Sequence, residues 1–123
     1  MSKVFYNKLV RDLIQNKIES KGEKCEVRAI TNDAEFQQEL LKKIREESHA
    51  LSSVRTRKEF LDEYADLMVV LDALTANMGF SEADIKVAIE ENVQKKGLYK
   101  KQHFLHWSDD SDYVSNESPQ GIK

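Results

Sequence analysis

Two stretches of the chain carry apolar residues at helical spacing, open with the same punctuation and are joined by a short link. Asn32 followed three residues later by Glu35 fits a capping box, in which side chains satisfy the orphan N–H groups of a helix start. The helix it opens carries Phe36, Leu40, Leu41, Ile44 and Leu51 on one stripe and is predicted to fade near Ser52 and Ser53. Thr56 with Glu59 repeats the pattern. Phe60, Leu61, Tyr64, Leu67, Met68, Leu71 and Leu74 then give a broad apolar face that Gly79 closes. The link from Ser52 to Arg55 predicts that the two helices are antiparallel neighbours.

Shorter elements flank this pair. Leu9, Val10, Leu13, Ile14 and Ile18 recur at helical spacing before Gly22, which predicts a first helix. Cys25 to Ala29 alternates apolar and polar residues, predicting a short strand or extended arm near residues 24–30. Ser81 with Asp84 caps a last helix carrying Val87, Ala88, Ile89 and Val93, stopped by Gly97. The expected fold class is therefore all-α, an antiparallel bundle of four main helices. One domain is drawn over 1–107, and the Ser- and Asp-rich residues 108–123 read as a polar acidic tail. The apolar faces of the central helices are wide for a chain of 123 residues, which predicts a homodimer or a homotetramer built as a dimer of dimers.

Composition excludes several function classes. Nineteen Lys and Arg against twenty-two Asp and Glu leave a net charge of −3, whereas a general nucleic-acid binder carries a basic excess. The longest stretch without a charged residue is Ala73 to Ser81, nine residues, so no membrane span is expected. The opening Met-Ser-Lys-Val-Phe-Tyr lacks the apolar run of a secretory signal, and a cytoplasmic location is expected. Cys25 is the single cysteine, which rules out an intramolecular disulfide and a Cys-based zinc site.

The chemistry is expected where the two central helices face each other. Folding the chain about residues 54–55 sets Glu47 level with Asp62 and Glu63, and Glu46 level with Glu63. Asp66 lies one turn past Glu63 on the same face. Four carboxylates, Glu46, Glu47, Glu63 and Asp66, are thus expected within a turn of one another. Like charges so close repel unless a cation compensates. Hard oxygen ligands without His or Cys suit Mg2+ or Mn2+, and Mg2+ commonly recruits phosphate oxygens. Acidic pairs three residues apart are also ordinary on exposed helix faces, so spacing alone does not assign a site.

Several motifs together carry a resemblance. Tyr6-Asn7-Lys8-Leu9-Val10-Arg11-Asp12, Lys43-Ile44-Arg45-Glu46-Glu47 and Asp62-Glu63-Tyr64-Ala65-Asp66-Leu67 resemble small relatives of phosphoribosyl-ATP pyrophosphohydrolase. These belong to the MazG-like all-α nucleoside triphosphate pyrophosphohydrolase superfamily. Gly22 to Arg28, Lys95-Lys96-Gly97-Leu98-Tyr99 and His103-Phe104-Leu105 support the likeness, which covers about residues 5 to 107. It implies Mg2+-dependent cleavage of a nucleoside triphosphate between the α and β phosphates, giving a monophosphate and pyrophosphate in nucleotide-pool house-cleaning. The family pattern, Glu-x-x-Glu, a spacer and Glu-x-x-Asp, falls on Glu47, Ala50, Glu63 and Asp66. Alanine cannot ligate a metal, so either Glu46 substitutes for it, or the site binds fewer ions through Glu47, Glu63 and Asp66, or this member is impaired. His49 adjoins the gap and is either a supplementary ligand or a surface residue.

The resemblance also implies roles around the metal. Glu46, with Glu47, is the catalytic carboxylate expected to orient or deprotonate the attacking water. Asn92 and Lys95 match an Asn-x-x-Lys that contacts substrate in some members. Lys96, Lys8 and Arg11 join them as phosphate-holding candidates, although Arg11 could instead pair with Asp12 to dock the first helix. Tyr99, Phe104 and Trp107 are candidates either for base stacking or for packing. Two alternatives follow from the same residues. One is a member that binds nucleotides but is catalytically impaired by Ala50; the other is a helical dimeric interaction module.

Overall fold

The computed structural model describes residues 2–109, whose regular elements are four α-helices, with no strand among the described residues. In chain order these are α1 (Ile14–Ser20), α2 (Asp33–Ser52), α3 (Arg57–Asn77) and α4 (Glu82–Lys96). None of them is long and apolar enough to cross a membrane. The tail assigned to 108–123 lies outside the described residues beyond Asp109. Two compact units are distinguished, 1–87 and 88–123, divided within α4.

The helix starts follow their caps. The Asn32 side chain accepts from the Glu35 N–H at 2.9 Å, and Thr56 Oγ1 accepts from the Glu59 N–H at 3.1 Å. Only the third box is reciprocal: Asp84 N–H donates to Ser81 Oγ at 3.1 Å, while Asp84 Oδ2 accepts from Ser81 N–H at 2.9 Å. Those bonds hold the Asp84 carboxyl below its ordinary pKa, the backbone bond contributing most. In the other two boxes the acid reaches elsewhere. Glu59 accepts from the Arg55 N–H, and Glu35 takes both guanidinium arms of Arg28. That fork ties the stretch before α2, residues 23–32, to the helix; the stretch is neither helix nor strand. At the far end of α3, Phe80 N–H donates to the Thr75 carbonyl and Gly79 N–H to that of Ala76, closing a Schellman turn. Gly79 sits at φ 83°, where a side chain would be strained.

The predicted first helix is shorter than its apolar spacing suggests. It begins at Ile14, not near Leu9, because residues 2–11 run as an irregular arm with Asn7 in the left-handed region at φ 46°. Leu9 still packs against the core from this arm.

The core lies between α2 and α3. Leu40 is 2% exposed and packs with Val70 and Leu74, and Phe36, Ile44, Leu67 and Ala73 close around them. The four-residue link 53–56 and the pairing of Leu40 with Val70 define an antiparallel hairpin. Other predicted face residues remain largely exposed: Leu41 on α2, and Phe60, Leu61, Tyr64 and Met68 on α3.

Truncating Leu40 removes the most buried side chain and leaves a cavity. Leu40→Ala is expected to lower the unfolding free energy by about 2–5 kcal/mol in urea titration.

Candidate metal centre

The hairpin register places the acidic residues. Glu47 is seven residues beyond Leu40 on α2, and Glu63 seven before Val70 on α3, so both lie about two turns from the same core contact. Asp66 follows Glu63 by three residues and shares its face. Each of Glu47, Glu63 and Asp66 offers a carboxylate oxygen within 4.8 Å of the others, and all three are half-buried. Three of the four expected carboxylates are therefore together. Glu46 points elsewhere and is tied to Lys8 Nζ at 3.1 Å and Lys43 Nζ at 3.2 Å.

Carboxylate charges within 4.8 Å of one another repel, by roughly 3 kcal/mol at that limit for the effective dielectric of a protein surface. Three such groups require compensation. Part comes from Lys43, whose ammonium lies 3.9 Å from Glu47 Oε1, both side chains being 16% exposed. Another part comes from Arg11, whose Nη1 lies 3.6 Å from Asp66 Oδ1. That cation–carboxylate pair takes the place of the Arg11–Asp12 pairing that the sequence left open.

The two neighbouring glutamates are pushed in opposite directions. Burial raises the pKa of Glu47, and the charge of Asp66 adds to it, with Lys43 opposing. Glu46 is lowered, first by its hydrogen bond from Lys8; burial opposes this, and Lys43 adds to the lowering.

The donor set fits a hard divalent cation. Three carboxylate oxygens within 4.8 Å of one another are groups that could hold Mg2+ or Mn2+, which prefer oxygen ligands and commonly keep water or phosphate oxygens beside them. Ala50, three residues past Glu47 on α2, adds no oxygen donor at this position. His49 is exposed and stands outside the trio, its carbonyl accepting from the Ser52 and Ser53 hydroxyls.

Of the predicted phosphate-holding residues, Lys8 and Arg11 reach the carboxylates of the hairpin. Asn92, Lys95 and Lys96 belong to the second unit, all exposed on the last turns of α4. Tyr99, Phe104 and Trp107 are also exposed. Lys43 was not singled out as a site residue from the sequence, although its spacing of three and four from Glu46 and Glu47 was the available signal.

Compared with family models, with curated proteins and with solved structures, the chain matches none.

The opposed shifts give opposed pH dependences. A raised folded-state pKa at Glu47 favours its proton, so that contribution is complete below the ordinary Glu range near 4.3 and is lost as pH rises through the raised value. In EDTA, Glu47→Gln is therefore expected to stabilise the fold at pH 7, with the gain vanishing below about pH 4. The lowered Glu46 contributes above the ordinary range and loses its contribution as pH falls through its depressed value. Glu46→Gln is expected to destabilise slightly at pH 7 and not at low pH. Urea titrations at the two pH values check both signs.

Proposed function

We propose that the chain is a divalent-metal-dependent nucleoside triphosphate pyrophosphohydrolase, adding one water across the α–β anhydride to release a nucleoside monophosphate and pyrophosphate. The observation that carries this reading is the convergence of Glu47, Glu63 and Asp66 oxygens within 4.8 Å on two helices fixed by a shared core. The motifs around Lys8, Glu47 and Glu63 supply the reaction class by resemblance.

Bound there, Mg2+ or Mn2+ would neutralise charge developing on the phosphate oxygens. The chain's own residues do the rest. Glu47, Glu63 and Asp66 hold the cation, and Lys43 limits their mutual repulsion. Glu46, kept ionised by Lys8 and Lys43, orients the attacking water through its carboxylate. Lys8 and Arg11, which the arm brings to the carboxylates of the hairpin, bind phosphate oxygens, Lys8 as a point charge.

The active form is a homodimer or homotetramer arranged around helical bundles. Support comes from the outer stripe of α3, where Leu61, Tyr64 and Met68 recur at helical spacing, with Leu61 65% exposed. Phe60 and Tyr64 stack at 6.0 Å on the same surface. Exposed apolar stripes of this kind mark interaction surfaces. Leu61→Asp is expected to shift the assembly towards monomer in sedimentation velocity, with unchanged mass overturning this assignment.

A second reading is favoured by Ala50, which removes one carboxylate from the motif: a member that binds nucleotide without turning it over. Pyrophosphate release from a panel of ribo- and deoxynucleoside triphosphates, with Mg2+, Mn2+ or EDTA, separates the two. Metal-dependent release is expected, and Glu63→Gln is expected to abolish it while leaving the helical content intact. Binding without release in every condition would establish the second reading.

A further inference from the structure

The N-terminal arm brings a guanidinium to Asp66, which, like Glu63, has no lysine partner among the described ion pairs. Arg11 Nη1 lies 3.6 Å from Asp66 Oδ1, longer than a hydrogen bond, and the two side chains are 60% and 46% exposed. Such a loose, solvated pair contributes little stability and opens readily. The backbone beneath it is better fixed. Leu9, two residues earlier, packs against the core, and the Arg11 carbonyl accepts from the Ile14 N–H at 3.1 Å where α1 begins. The side chain can therefore swing about a held anchor. Lys8, the arm's other cation near the site, is hydrogen-bonded at 3.1 Å to Glu46, which stands outside the trio.

We propose that Arg11 is an exchangeable counter-ion: it pairs with Asp66 as seen here, gives up that carboxylate to the divalent cation, and turns to the phosphate oxygens of the nucleotide. This rests on the pyrophosphohydrolase reading above. Two positive groups cannot share the Asp66 oxygens without repulsion, so metal and guanidinium compete. A guanidinium released beside the metal presents a planar fork that matches phosphate geometry. The exchange makes Arg11 oppose metal alone and favour metal with polyphosphate. A residue that merely docks the arm would affect both ligands in one direction.

The test measures Mn2+ affinity and, at saturating Mg2+, inorganic tripolyphosphate affinity by calorimetry on the full chain. Arg11→Gln is expected to tighten Mn2+ binding by about two- to fivefold, the range that an exposed ion pair converts to, and to weaken tripolyphosphate by at least about fivefold. Arg11→Lys, which keeps the charge, is expected to restore Mn2+ affinity to the wild-type value. Lys58→Gln removes a cation whose partner is Asp62 and is expected to leave Mn2+ affinity unchanged, separating local from net charge. Equal Mn2+ affinity in wild type and Arg11→Gln, or a loss of both ligands together, would overturn the exchange while leaving the metal site standing. No Mn2+ binding by the wild type would overturn the metal site and the exchange with it.

Discussion

The packing of Leu40 against Val70 and Leu74 governs where every other group on the hairpin can stand. Leu40 is nearly inaccessible to water, and its contacts fix α2 and α3 both in rotation and in register. Once that register is set, moving two turns away from the core contact along both helices brings Glu47 and Glu63 level. A slip of one residue would rotate Glu47 by about 100° and scatter the carboxylates. A few apolar side chains therefore hold three mutually repelling charges together.

That repulsion then shapes the surroundings. Lys43, on the same helix, lies near both Glu46 and Glu47, and the arm delivers Lys8 and Arg11 from outside the hairpin. The result divides adjacent glutamates into two electrostatic environments. Glu46 is hydrogen-bonded by ammonium groups and is stabilised as a carboxylate, whereas Glu47 is more buried and faces other acids. Under the proposed function, environments that separate the proton affinities of neighbouring acids would suit a division of labour between holding a cation and directing water.

Much of this was legible in the sequence, for local reasons. α2, α3 and α4 start directly after their side-chain caps at Asn32, Thr56 and Ser81, and they end just before Ser53, Gly79 and Gly97. The short link gave the antiparallel register, and the register gave Glu47, Glu63 and Asp66. What was not legible depends on long-range charge. Leu9 and Val10 have helical spacing, yet their segment is an irregular arm, and its cations meet carboxylates 38 and 55 positions away. No spacing rule reports such pairs. The reciprocal halves of two capping boxes failed similarly, because Arg28 and the Arg55 N–H engage the acids first. The width of the α3 apolar face was visible in the sequence, and the structure leaves much of that width exposed.

The most direct test of the metal assignment is anomalous scattering from a crystal of the full chain soaked in Mn2+. A single strong peak bounded by the carboxylates of Glu47, Glu63 and Asp66, with Glu46 outside the inner shell, is expected. A map with no peak at those three residues, from crystals soaked well above millimolar Mn2+, would contradict the assignment and leave the trio as a charge cluster balanced by Arg11 and Lys43 alone.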